Sequence, residues 1–241
     1  MTADDLSAAF DGLPSAWRAA LPGWTPARQE ALVQRVRAIS GDRPIAPVDP
    51  FRALRLVGPE HVKVVVLGQD PYPTAGHADG LAFSAGAGRC PVSLRRIFRV
   101  LAQDRPGWTP PASWALDAWA QQGVLLLNPV LTVEIGHIGS HLEVGWQPLT
   151  AQIVEHLVHR AAPPVFLLWG SRAQAFFDDA AGAAAARAAV HRTRHPSNDF
   201  RREFMAAGSH FAATSSLVDW WALHPPGAVE QRFLNTSGVL L

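Results

Sequence analysis

Apolar residues along this chain fall into two periods. Residues 62–67 read Val-Lys-Val-Val-Val-Leu, an almost unbroken branched run. A run of this length bounded by turn residues predicts a strand buried on both faces. Similar runs at 124–127 and 165–169 predict two more strands, and a weaker one at 190–193 predicts a fourth. Helical spacing appears between them. Leu94, Ile97, Phe98 and Leu101 predict a helix over 93–102, and further helices are expected at 148–160 and from Ala173 onward. Residues 14–40 read as helical and broken at Pro22, with Trp17, Leu21, Ala31, Leu32 and Val36 as apolar points. The Ala-rich stretch 180–190 is expected to be helical on intrinsic propensity, and 204–222 to be a final helix. Pro44, Pro47 and Pro50 make 43–50 a loop.

Strands alternating with helices imply an α/β fold with a parallel sheet covered on both faces. Ligands in such sheets sit beyond the carboxyl ends of the strands. Each predicted strand end carries polar or special residues: Asp70 and Tyr72, Asn128, Gly170-Ser171, then His195 and Ser197. One parallel sheet would bring all of them to one edge. Pro71 and Pro73 fix the loop that presents Asp70 and Tyr72. Taken singly, each residue has an ordinary role open to it. Asp70 and Asn128 suit turn caps, Phe83 the core, and His195 a structural place beside a proline.

Composition narrows the classes. With 241 residues and 48% hydrophobic content, a single domain over 1–241 is expected, with 1–42 as an N-terminal helical segment packed on it. The single Cys, Cys90, excludes an intramolecular disulfide and a Cys-based zinc site, and fits a reducing compartment. The histidines are scattered rather than set at ligand spacing, so no metal or cofactor is expected. The opening MTADDLSAAFDG has no signal-peptide pattern, and no apolar run approaches the ~18 residues of a membrane span. A cytoplasmic location without membrane contact is expected. Net charge is only +1, but residues 89–105 and 187–202 each hold five Arg against one Asp. Two such patches suit phosphates, although either one alone reads first as a solvated helix face.

Together these residues resemble the family-1 uracil-DNA glycosylases. The resemblance runs from about Phe51 to about Phe211 and rests on short motifs in the family's order. They are Gly68-Gln69-Asp70-Pro71-Tyr72, Gly80-Leu81-Ala82-Phe83-Ser84 and Pro91-Val92-Ser93-Leu94, then residues 123–133 around Asn128. Ser140-His141, Gly145-Trp146, Leu168-Trp169-Gly170-Ser171, His195-Pro196-Ser197 and His210-Phe211 complete the set. The resemblance implies a three-layer α/β/α fold with a central four-stranded, mainly parallel sheet. It implies excision of uracil from DNA by hydrolysis of the N-glycosidic bond after base flipping, the opening step of base excision repair. The implied partner is uracil-containing DNA, single- or double-stranded, acted on by a monomer.

The same resemblance implies roles. Asp70 would orient water and stabilise the cationic sugar, and His195 would donate to uracil O2. Asn128 would read O4 and N3–H, Phe83 would stack on the base, and the Tyr72 ring would block the thymine methyl. Backbone N–H groups at Gln69 and Asp70 would meet O2. The loops at Ser93, at Gly170 and Ser171, and at Ser197 would pinch the DNA backbone.

The chain also departs from the family pattern. Pro73 stands where the family has a His that helps hold the attacking water, and His77 is a candidate substitute. Asp79 replaces another family His. Asp199 stands at the wedge position, so Phe200 becomes the candidate wedge. Glu134 replaces a family Arg, which would remove positive charge near the DNA side. These departures imply slower turnover or altered substrate preference. They leave open a catalytically impaired uracil- or DNA-binding paralogue, and a glycosylase for another damaged base.

Overall fold

The computed structural model describes residues 1–198 and 203–223. Its centre is a sheet of four parallel strands in the order β3-β2-β5-β6: β2 (Val64–Leu67), β3 (Val124–Leu127), β5 (Val165–Trp169) and β6 (Val190–Thr193). The register is unslipped. Leu67 lies beside both Leu127 and Leu168, and Trp169 beside Thr193. Every residue of β2 and β3 is buried, which is why those strands read as apolar runs. Edge strand β6 is only half-buried and carries His191 and Arg192, so its pattern is weak.

Helices α5 (Val92–Asp104), α7 (Gln147–Val158) and α8 (Ser171–Ala181) cover the sheet and make a three-layer α/β/α architecture. In α5 the buried stripe is Leu94, Ile97, Phe98 and Leu101, while Arg95 and Arg99 are exposed. Phe177 of α8 packs on Phe166 of β5, ring centroids 4.7 Å apart. Short helices α4 (Arg52–Leu56) and α6 (Asp117–Ala120) fill the connections.

Three helices precede the sheet: α1 (Ala3–Asp11), α2 (Ser15–Ala20) and α3 (Pro26–Ser40). The expected helix over 14–40 is therefore a pair parted around Pro22. Helix α1 lies within the 1–42 segment expected to be helical, ahead of the helix expected over 14–40. A capping box between Thr2 and Asp5 starts it, and Leu6 and Phe10 bury its inner face. Phe10 stacks on Trp146 at 5.8 Å, and Trp17 Nε1 donates to the Val57 carbonyl at 2.8 Å.

A second, two-stranded antiparallel sheet pairs β1 (Ile45–Ala46), inside the expected loop, with β4 (Val133–Glu134). A buried polar chain runs behind it. Trp146 Nε1 donates to Thr132 Oγ1 at 2.7 Å, and Thr132 faces His141 Nδ1 at 2.8 Å. His141 Nε2 meets Ser40 Oγ at 2.9 Å, and Ser40 donates to the Glu134 carboxylate at 3.1 Å. A neutral His141, protonated on Nε2, satisfies every link, and burial lowers its pKa to about 4. Arg43 also pairs with Glu134. Glu134 is 2% exposed, so the expectation that it alters charge on the DNA side is overturned: its charge is spent inside the fold.

Two expected helices are corrected. The Ala-rich stretch 180–190 is the end of α8, a glycine stop at Gly182 (φ +50°), then a 3₁₀ turn over Gly182–Arg187 with no buried residue. Alanine's propensity does not hold a helix that has no face to bury. Within 204–222 only α9 (His210–Ala213) is helical. Met205 and Gly208 take positive φ just before it. The segment after it is pinned by indoles: Trp119 donates to the Trp220 carbonyl and Trp221 to the Leu101 carbonyl, each at 2.9 Å.

Candidate active site

The unslipped register places the residues after each strand side by side at the carboxyl edge. Gly68 follows Leu67 and Asn128 follows Leu127 on adjacent strands. A Cβ on Gly68 would lie 2.1 Å from Asn128 Oδ1, so only glycine lets the Asn128 amide cross in front of β2. Gly170, after β5, takes φ +111°, and a Cβ there would lie 2.9 Å from the His195 Cβ. Here too glycine makes room, this time for the residue carried beyond β6.

A cavity of about 400 Å³ opens at this edge. Gln69, Asp70, Tyr72, Phe83, Asn128 and His195 line it, with Ser93 and Ser197 at its margin. These are the expected catalytic and base-contacting residues, brought together from the ends of β2, β3 and β6 and from the loop that carries Phe83. Gly170 supports His195 rather than lining the cavity. Ser171 is exposed in the first turn of α8. Phe200 and Asp199, the two candidates at the wedge position, lie outside the described residues.

The walls are fixed by hydrogen bonds. Tyr72 Oη donates to the Phe83 carbonyl at 3.1 Å and meets Ser93 Oγ at 2.7 Å. Burial pushes the Tyr72 phenol pKa upward, so it stays protonated. Phe83 sits in the left-handed region at φ +65°, a conformation that costs a bulky residue ~1–3 kcal/mol. Its ring lies 5.0 Å from Trp169 and 5.8 Å from His195, centroid to centroid. Asp79 braces the same loop. It accepts from the Ser84 hydroxyl at 2.6 Å and the Leu81 N–H at 3.1 Å, and pairs with Arg52 at 3.0 Å.

His195 is held in one tautomer. Its Nδ1 accepts from the Ser197 N–H at 3.2 Å and faces the Ser197 hydroxyl at 2.7 Å. A nitrogen that accepts carries no proton, so the neutral ring carries its proton on Nε2. Burial lowers the His195 pKa and favours that neutral form. Burial raises the Asp70 pKa. The Arg172 guanidinium, the Gln69 side chain and the Gly139 backbone N–H oppose the rise. A carboxylate with those partners and a neutral N–H donor can stabilise opposite charges on one substrate.

His77 also lines the cavity, 6.3 Å from the Tyr72 ring. Its Nε2 donates to the Arg89 carbonyl at 3.0 Å, which leaves the buried Nδ1 as its one uncommitted ring nitrogen among the described residues. Two participants were missed by sequence reasoning. Gly139 acts through its backbone, which leaves no side-chain signal. Arg172 lies beside Ser171, and its charge was legible although its nearness to Asp70 was not. The second arginine patch is partly neutralised, since Arg192 pairs with Asp178 and Arg194 with Glu203.

Comparison with known proteins defines the class. Residues 56–225 match the model of the uracil DNA glycosylase superfamily. A uracil-DNA glycosylase of Bordetella parapertussis is 44% identical over 173 residues, covering 70% of this chain and 68% of that protein. One from varicella-zoster virus is 49% identical over 127 residues, covering 52% and 42% respectively. The crystal structure of mimivirus uracil-DNA glycosylase superposes with a TM-score of 0.66 at 24% identity, covering 76% of this chain and 67% of that one; at that identity the likeness concerns the fold. The chain belongs to the uracil DNA glycosylase superfamily.

Proposed function

We propose that this chain excises uracil from DNA by hydrolysing the N-glycosidic bond, the reaction that starts base excision repair. The observation that carries the residue assignment is the single cavity that gathers Asp70, Tyr72, Phe83, Asn128 and His195. The target base leaves the helix and enters this cavity, at a cost of a few kcal/mol of unstacking. Phe83 stacks on it, and Asn128 pairs with O4 and N3–H. Cytosine offers the opposite donor pattern and would leave buried groups unpaired. Tyr72 fills the space that a thymine methyl would need.

The C1′–N1 bond breaks with its electron pair going to uracil. The anion is met by His195 Nε2–H and by the N–H groups of Gln69 and Asp70. The sugar cation is met by the Asp70 carboxylate, which also orients the water that adds to C1′. Ser197 holds the His195 tautomer. Ser93, Gly170 and Ser171 lie on the loops that approach the DNA backbone, and Phe200 is the candidate wedge. The working form is a monomer in the cytoplasm, to be checked by light scattering and cell fractionation. Among the described residues no helix is long and apolar enough to cross a membrane.

The test is release of uracil from a labelled oligonucleotide, single-stranded and paired with G or A. Wild type should leave an abasic site. His195→Ala should be slower by ~10²–10³-fold, the usual loss for one oxyanion donor, and Asp70→Asn slower still. Binding without product in wild type would instead mark a non-catalytic paralogue, the outcome to which Pro73 points.

A further inference from the structure

Ser93 stands in the first turn of α5, on a loop expected to meet the DNA backbone, yet its side chain faces the other way. It is 3% exposed, and its hydroxyl lies 2.7 Å from the Tyr72 phenol oxygen. The protons can be counted. The Phe83 carbonyl can only accept, and Tyr72 Oη is the donor it meets, at 3.1 Å. A phenol has one proton, and it is used there. The proton between Ser93 and Tyr72 must therefore come from Ser93.

We infer that Ser93 is a positioning residue for base selection: its hydroxyl proton is committed to Tyr72, and the chain Ser93–Tyr72–Phe83 fixes both the wall and the stacking ring of the pocket. Ser93 Oγ–H is then not a phosphate donor, and the loop meets DNA through its backbone N–H groups, which are unpaired at the start of a helix. Phe83 is the far end of the chain. Its left-handed backbone, at φ +65°, places the ring against Trp169, and the Tyr72 bond to its carbonyl secures that conformation. One residue on the DNA-facing loop thus sets how tightly the pocket rejects a substituent at the 5-position of the pyrimidine. This rests on the reading of Tyr72 as the wall against the thymine methyl.

Two measurements test it. Excision of 5-bromouracil, whose bromine matches a methyl in size, is compared with excision of uracil in Ser93→Ala, Tyr72→Phe and the double variant. The 5-bromouracil to uracil ratio of kcat/KM should rise about tenfold in each single variant, the worth of one hydrogen bond in a buried network. The double variant should rise no further, because both changes break the same chain. An unchanged ratio in Ser93→Ala, with a higher KM, would assign the hydroxyl to a phosphate and overturn the inference. Additive effects would overturn it too.

The second measurement does not need activity. Tyr72 is the single tyrosine of the chain. The tyrosine doublet in ultraviolet resonance Raman distinguishes a phenol that donates and accepts from one that only donates. Wild type should show the first and Ser93→Ala the second. An identical doublet in both would sink the inference even if wild type releases no uracil, whereas absent uracil release alone counts against the proposed activity.

Discussion

Inside the cavity each wall is tied to another part of the chain: Asn128 lies over Gly68, Tyr72 is bonded to Phe83 and Ser93, and His195 is bonded to Ser197. At the mouth the chain is arranged differently. Ile138 is 83% exposed and Val92 53%, both on the cavity margin, and Val48 between the lining Pro47 and Pro50 is 81% exposed. The interior has fixed polar groups whose partners are already chosen. The rim has apolar side chains with no partner chosen. Discrimination between bases needs the first arrangement, because a misplaced hydrogen-bonding group is costly only when it cannot relax. Contact with the variable sequence around a uracil suits the second.

The comparison can be broken from the inside outward. The largest effect is expected at Gly68→Ala, where the new methyl would occupy the Asn128 amide position. Activity on uracil should fall by roughly 100-fold or more, the loss expected when a buried reading group is displaced, while binding to DNA without uracil should be kept. Single-turnover rates beside filter binding check this. Next is Pro73→His, which restores a group able to hold water. A rise in kcat of about tenfold is expected, at the low side of what positioned proton-transfer groups give. An unchanged rate would mean that His77 or the Gly139 backbone already holds the water. At the rim, Ile138→Ser should raise KM by about threefold with kcat kept, consistent with losing ~0.7 kcal/mol of apolar contact. A fall in kcat instead would show that the rim and the interior are not separable.

The smallest effect concerns stability. Burial raises the folded-state pKa of Asp70 above its unfolded value. A carboxyl raised in this way favours folding while protonated, and that contribution is lost as pH rises through the window between the two values. The ionised Asp70 therefore destabilises the fold at neutral pH. Asp70→Asn should raise Tm at pH 7 and leave it unchanged at pH 3, where both states are protonated. Thermal melts at the two pH values decide it. The same shift moves the acid limb of kcat above the ordinary carboxylate value of ~3.9. The lowered His195 pKa keeps the ring neutral below its ordinary ~6.5, so protonation of His195 does not set a limb at that pH.

Strands β2, β3 and β5 were legible because a strand buried on both faces leaves an unbroken apolar run. Their ends, and so most of the site, followed from them. Strand β6 was faint because an edge strand keeps polar residues. The segment after α9 is not helical although its apolar residues suggest a helix, because indole-to-carbonyl bonds hold it, such as Trp221 to Leu101 across 120 residues, and these have no local period. The burial of Glu134 has no local sign for a related reason: Ser40, which donates to its carboxylate, lies 94 positions earlier. The start of α1 is legible in the Thr2–Asp5 capping box.

The family match begins at residue 56, whereas Ser40, the last residue of α3, donates to Glu134 and meets His141. Kinship and mechanics therefore draw different borders on this chain. A fragment cut where the likeness begins would retain every candidate active-site residue. It would also inherit a buried carboxylate stripped of Ser40 and Arg43, a few residues from the Gly139 that steadies Asp70. What descent treats as an appendage, the fold uses as a foundation.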